Sequence, residues 1–505
     1  MNIKRRDFVK SSGLCLGAAA IAPHFAGNLF AETTYTAKPG EVNYFGMSKE
    51  DIRKLLEIAL SKGGEFSELF FEYMVDSSVS MSEGIIKGSS ESVRLGVGVR
   101  VVKGEQTGYG YTNELTFEKI KATALTAATI AQGNSKAKVA DMNEYFPKVQ
   151  TYATKNLISD ATLKTKIELI REAYDAAMKY DSKIVKVNSS LVDSIQYVTI
   201  ANSEGRIISD VRPMVRLVVN ATAENGKVRG SGHGNDGGRV GLDFYKRAAH
   251  PRDIGVRAAK EAIELLSAEP APAGEYTVVL SKHQSGVMIH EAVGHPLEGD
   301  ANWKKQSVMT GKFGQIVASP LINIYDDATI PSLRGSLNID DEGTLCEKAV
   351  LIEKGKFVGY LNDKLSAKIL KQPENGHGRR ETYQHMPIPR MNNTNLAPGE
   401  STPEEIIKSV KKGFYAQTYQ GGMVENTGKF TFSVNLGYLI EDGKLTKPLR
   451  NATLIGSNIN ILKDVDMVAN DFGVFLGSCE KSGQTVPVTA GTPTLRIKKM
   501  TVGGM

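Results

Sequence analysis

Between residues 93 and 102 the apolar residues fall at every second position: Val93, Leu95, Val97, Val99 and Val101. A period of two belongs to a β-strand, because a helix repeats its apolar stripe every three or four residues. Shorter strand-like runs cover residues 68–75, 79–82, 184–190, 197–202, 206–211 and 214–224. Elsewhere the period changes. Ile52, Leu55, Leu56, Ala59 and Leu60 stand at helical spacing before Gly63-Gly64, so a helix is expected over 48–62. Helices are also expected over 115–131, 161–180 and 253–267, with turns at Gly104, Gly108 and 202–205. Residues 136–155 read as irregular, and strands and turns dominate after residue 275. The pattern predicts an α+β fold in several domains: α+β segments at 45–135 and 155–268, then a β-rich segment at 275–505. A proline-stiffened linker at 269–274 precedes the last segment. The stretch 230–241 holds many glycines with His233 and Asp236, but lacks the Lys-Ser/Thr of a phosphate loop, so a mobile surface loop is expected there.

Composition narrows the function classes. The chain has 505 residues, 41% hydrophobic and 23% charged, which is ordinary for a globular protein and excludes a disordered or disulfide-dense one. A net charge of +6 gives nucleic-acid binding no support. No run approaches the roughly 20 apolar residues of a spanning helix, so no stable membrane anchor is expected.

The first 31 residues read as an address. Lys4, Arg5 and Arg6 precede an apolar run over 14–22, then Pro23 and small residues. The stretch Arg5-Arg6-Asp7-Phe8-Val9-Lys10 resembles a twin-arginine export signal, with Lys4 and Val9 as mild departures. Export to the periplasm is the expectation. That route carries folded proteins, which suits a protein that acquires a cofactor first. Half of the +6 sits in this segment, so the mature chain is nearly neutral.

The residues with the most chemistry are His290-Glu291-Ala292-Val293-Gly294-His295. The zinc helix H-E-x-x-H sets its histidines four apart, on one face. Here they are five apart, which a regular helix separates by about 140° at 3.6 residues per turn. A shared metal ion then requires a distortion. Gly294 is free to leave helical geometry, and Pro296 disfavours the α region at His295. We therefore expect a helix over 285–293 that bulges or unwinds near Gly294. Two satisfied histidines at a capped helix end are the bland alternative. A Zn²⁺ site needs a third ligand, for which Glu298, Asp300, His283, His377, His385, Cys346 and Cys479 qualify by type. Zinc lowers the pKa of its water and polarises a carbonyl; Glu291 would then serve as general base.

The string from His290 to Asp300, HEAVGHPLEGD, resembles the signature of the TldD/PmbA metalloprotease family, on the TldD side. Residues 378–394 form a second matching block, and 477–488 with 491–497 a third. Ser82-Glu-Gly-Ile, Gly96-Val-Gly-Val-Arg and Gly108 add a fourth, N-terminal one. The exported N-terminus departs from familiar members, which are cytoplasmic. The resemblance implies a TldD/PmbA-like fold with its metallopeptidase site in the C-terminal segment. It implies one zinc per chain on His290, His295 and Cys479, with Glu291 as the base. It also implies a two-subunit assembly, as a homodimer or with a PmbA-like partner that lacks the metal motif. The substrates would be short or unfolded polypeptides. A non-catalytic peptide-binding subunit and a zinc hydrolase of other amides are the rival readings. Arg379 and Arg380 offer guanidinium donors to a peptide carboxylate or carbonyl, or ion pairs within the fold. Tyr383 and His385 lie nearby and offer donors to an oxyanion, although a structural hydrogen bond is the more ordinary role for each. Glu298 and Asp300 are placed to orient the histidines or to cap turns.

Overall fold

The computed structural model describes residues 45–147, 150–152, 161–425 and 428–504. The expected export signal lies outside them, as does part of the irregular stretch at 136–155. Helix α1 (Lys49–Leu60) precedes strands β1 (Phe66–Ser82), β2 (Ile85–Lys103) and β3 (Gln106–Thr112). Helix α2 (Phe117–Ile130), the short β4 (Asn143–Tyr145) and α3 (Leu163–Met178) come next. Strands β5 (Ile184–Asn202), β6 (Arg206–Asn225) and β7 (Val228–Gly238) lead to α4 (Pro251–Glu264). The runs expected as separate strands at 184–190 and 197–202 are one strand, as are 206–211 and 214–224. Pairing with neighbours on both sides carries each strand through its polar middle.

These seven strands form one sheet, ordered β3-β2-β1-β5-β6-β4 with β7 also on β6. Fifteen antiparallel β1–β5 pairs, from Glu68–Asn202 to Ser82–Asn188, join the two N-terminal segments into that sheet. Each segment keeps its own helical layer. Leu55, Leu56, Ile120 and Ala124 of α1 and α2 cover Leu69, Phe71, Val97, Val99 and Val101. Ile170, Ala173, Ile254 and Ala258 of α3 and α4 cover Leu191, Val215, Leu217 and Val219. Of the alternating residues at 93–102, Val97, Val99 and Val101 are buried under these helices, while Leu95 is half-buried and Val93 exposed.

The mobile loop expected at 230–241 is instead strand β7, paired with β6 from Asn225–Val228 to Val215–Gly238. Gly230, Gly232 and Gly234 recur with period two, and a Cβ at any of them would collide with α4 carbonyls. The glycines let a helix lie flat on a strand. Gly108 works the same way: it sits inside β3, against the Ala127 carbonyl of α2, and not in the expected turn.

The C-terminal half carries β8 (Glu269–Pro270), β9 (Gly274–Leu280), β10 (Ile324–Asp327), β11 (Lys348–Glu353), β12 (Lys356–Phe357), β13 (Gly378–Arg379), β14 (Ile388–Pro389) and β15 (Asn393–Leu396). It ends with β16 (Lys412–Val424), β17 (Lys429–Glu441), β18 (Lys444–Ser457), β19 (Val465–Val468), β20 (Gly473–Lys481), β21 (Gln484–Thr492) and β22 (Leu495–Gly503). One sheet runs β19-β22-β9-β16-β17-β18-β8 and another β12-β11-β10-β15-β21-β20. Val278, Phe432 and Leu454 of the first meet Ile324, Leu351 and Val488 of the second in one core. The expected linker is partly pinned, because β8 pairs with β18.

The other face of the N-terminal sheet packs on this half. Phe70, Val198, Ile200 and Ile208 meet Ile339 and Tyr383. Beside them Arg100 pairs with Glu68 at 3.1 Å and with Glu342, Arg380 pairs with Glu68, and Arg212 with Asp341 at 2.5 Å.

Candidate metal centre

Strand β9 leads through a turn into helix α5 (Gly286–Ile289). A Cβ on Gly286 would stand 2.2 Å from the Ala490 carbonyl oxygen of β21, so only glycine lets α5 lie on that strand. At His290 the winding changes. Residues His290–Gly294 form a π turn, and the His295 N–H donates to the His290 carbonyl, five residues back. A turn closed by such i→i+5 bonds brings residues five apart onto one side. The two imidazoles meet with ring centroids 5.0 Å apart.

Of the two expected distortions, the bulge is present and the unwinding is not. Gly294 (φ −55°, ψ −64°) and His295 (φ −57°, ψ −45°) both keep right-handed helical dihedrals. Pro296 sits at the start of a 3₁₀ turn over His295–Leu297, where its missing N–H costs nothing. Gly294 is closely packed, because a Cβ there would displace the thioether of the buried Met391. Ala292 and Val293 point into the core and anchor the wide turn.

Cys479 arrives from β20, opposite Val486 of β21, the strand on which α5 rests. Its Sγ lies 3.5 Å from His295 Nε2. Ligand atoms of His290, His295 and Cys479 all lie within 4.8 Å of one another. His290 Nδ1 is buried and has no hydrogen-bond partner among the described residues. A thiol and two imidazoles that bring one ligand atom each within 4.8 Å of the others fit a borderline-soft divalent ion such as Zn²⁺. Burial pushes the Cys479 thiol up, but the two imidazoles outweigh it and bring it down to about 4. Burial also opposes a charged His295, yet Glu298 and Cys479 hold it well above the usual histidine range.

Of the other third-ligand candidates, Glu298 stands behind the site. Its Oε2 lies 3.2 Å from His295 Nδ1, the ring nitrogen turned away from Cys479. Lys481 Nζ lies 3.0 Å from that same oxygen and 2.6 Å from Asp300 Oδ1. Burial would raise the Glu298 carboxyl, but Lys481 and His295 hold it down to about 2. Sequence reading missed Lys481. The signal was available, since a lysine two residues beyond Cys479 in a strand shares its face. A cavity of about 600 Å³ opens on these groups, lined also by Glu291, Lys304 and residues Gly422–Glu425 near the end of β16.

The structure does not bring the remaining candidates to this cavity. His377 is fully buried against Asp326 at 3.1 Å. The Cys346 thiol donates to the Gly376 carbonyl at 3.5 Å, and both described cysteines are free. His283 lies beside Gly473, and His385 Nδ1 pairs with Thr382 Oγ1 at 3.0 Å. Arg379 donates to the carbonyls of Met391 and Pro487. Arg380 is wholly buried between Glu68, the Asp341 carbonyl and the Phe70 ring. Tyr383 packs in the junction, its N–H donating to Glu72 at 2.8 Å. Of the alternatives open for Arg379, Arg380, Tyr383 and His385, these contacts are the structural ones.

Residues 67–131, 156–266 and 273–504 match, in order, domain 1, the central domain and the C-terminal domain of the PmbA/TldA metallopeptidases. The chain is 41% identical over 468 residues to a Haemophilus influenzae protein named metalloprotease TldD homolog, covering 91% of this chain and 97% of that one. It is 27% identical to a Saccharolobus solfataricus protein named zinc metalloprotease TldD homolog, covering 89% and 99%. The crystal structure of TldE from Thermococcus kodakarensis shares the fold, with a TM-score of 0.70 at 19% identity over 90% of this chain and 100% of that one. With a His/His/Cys centre on a π turn and all three domains matched in order, the chain belongs to the TldD/PmbA metallopeptidase family.

Proposed function

We propose that this protein is a zinc metallopeptidase that hydrolyses peptide bonds in short or unfolded polypeptides. The observation that carries the reading is the convergence of the His290, His295 and Cys479 donor atoms within 4.8 Å, with Glu291 on the same cavity wall. His290, His295 and Cys479 would hold one zinc ion. When bound, the ion supplies Lewis-acid polarisation of a carbonyl and a water acidified towards neutral pH. Glu291, next in sequence to a ligand, takes the water proton and returns it to the leaving amine. Glu298 accepts from the far nitrogen of His295 and holds the ring with Nε2 towards the centre. Lys481 fixes Glu298 and keeps it charged.

Substrate capture by strand addition suits the cavity wall. Strand β16 pairs with β9 only over Gly413–Ala416 and with β17 along its length. Its last residues therefore present an open edge to the cavity, among the described residues. Main-chain pairing there is tolerant of sequence and demands an extended chain. The family resemblance supports a two-subunit assembly with a second copy or a PmbA-like chain. The Arg5-Arg6 segment supports export through the folded-protein route to the periplasm.

Glu291→Gln tests the reading. It should keep about one zinc per chain and lower peptide turnover by about 10²-fold or more. Full activity in that variant removes Glu291 as the base.

A further inference from the structure

A second cavity, of about 360 Å³, lies where the N-terminal sheet meets β20 and β21. Six arginines line it: Arg212, Arg216, Arg239, Arg334, Arg379 and Arg380. Arg212 and Arg380 are paired with carboxylates of the fold. Among the described residues, Arg216, Arg239, Arg334 and Arg379 pair with none. The cavity's own carboxylates are largely spoken for. Asp76 pairs with Arg94, Asp193 with Lys166 and Asp341 with Arg212. Glu381 accepts the Thr485 N–H and makes no ion pair among the described residues.

Four guanidiniums thus face one unpaired carboxylate. Arg239 is 5% exposed; its guanidinium lies over the Tyr152 ring, and its Nε has no hydrogen-bond partner among the described residues. The Nε of Arg216 is also buried without one. Burial first, and then repulsion from Arg216 and Arg239, hold the Arg334 guanidinium down to about 9. Buried charges without partners are costly, and a fold that keeps several around one hollow is built for the missing counter-charge. Arg334 and Arg216 also reach β20, bonding the carbonyls of Gly477 at 2.8 Å and Leu476 at 3.2 Å.

We propose that this cavity is a binding site for a small anion, whose carboxylate or phosphoryl oxygens are held by Arg216, Arg239 and Arg334. The guanidinium fork matches the planar or tetrahedral oxygens of either group. The volume admits a molecule larger than a lone phosphate. The site is separate from the His290–Cys479 centre and does not depend on the peptidase reading.

Calorimetry and thermal unfolding of the zinc-loaded full chain test it, with inorganic phosphate and with succinate, against potassium chloride at matched ionic strength. Saturable binding of either anion, with a rise in Tm beyond that in chloride, is expected. Phosphate alone would assign a phosphoryl ligand, and succinate alone a carboxylate. Arg239→Gln should weaken that binding about tenfold or more, the loss of a charged hydrogen bond, with zinc content unchanged. Arg334→Gln provides the same reading if the first variant does not fold. No saturable binding beyond chloride overturns the proposal. So does equal affinity in both variants and wild type, which places the anion at the metal centre instead.

Discussion

Gly286 sets how far the zinc-motif turn stands from the strand that brings Cys479. In Gly286→Ala the added Cβ would meet the Ala490 carbonyl oxygen at 2.2 Å. That oxygen belongs to a strand paired on both sides, so rotamer adjustment gives no relief. Ordinary contact begins near 3.4 Å, so α5 must lift from β21 by about 1.2 Å, the difference between the two. His290 follows α5 directly and moves with it, whereas Cys479 is held by β20. Overpacking of this kind costs about 1–3 kcal/mol of stability. A displacement of about 1 Å among reacting groups costs about 10²-fold in rate. Purified Gly286→Ala should therefore fold with a modestly lower Tm, bind substoichiometric zinc by atomic absorption, and lose about 10²-fold of its peptide turnover. Gly88→Ala is the control, since its Cβ would meet only Ser80 Oγ, at 3.6 Å. Full zinc content and full turnover in Gly286→Ala would refute the argument that close packing of α5 on β21 positions His290.

Cys479→Ala should lose stoichiometric zinc by the same assay, because two imidazoles alone fall short of the three protein ligands such a site needs. Retained zinc would move the third ligand to Glu298 or Asp300. Arg380→Met should cost about 3 kcal/mol in denaturant unfolding, by leaving Glu68 short of a buried partner, while zinc content stays unchanged. A loss of peptide affinity at unchanged stability would instead assign Arg380 to substrate. Replacing Arg5 and Arg6 together by Lys should block export, read by fractionation of the expressing cells. Unchanged secretion would make the segment an ordinary secretory signal.

Much of the fold was legible in local pattern. The helix at 48–62 and the alternation at 93–102 are found as α1 and β2, because each element buries a stripe whose period its own residues reveal. The glycines of 230–241 carry no local sign of the strand they form. A glycine at every second position looks like a loop until a helix is known to rest on it. The strands read as interrupted at 191–196 and at 212–213 were continuous, since pairing across a sheet overrides weak local propensity.

By itself the sequence determined that His290 and His295 require a distorted turn to meet, and that Glu291 stands beside a ligand. It also determined, through resemblance, that Cys479 belongs with them. Only the tertiary structure decided the kind of distortion. The turn is a π turn in which Gly294 and His295 stay helical, with Ala292 and Val293 held in the core and Met391 packed against Gly294. It alone decided that Arg379 and Arg380 are held by bonds within the fold, away from the metal centre, while Lys481 stands behind that centre. Charges far apart in sequence find their partners through packing, and no local pattern encodes which strand will lie across from which.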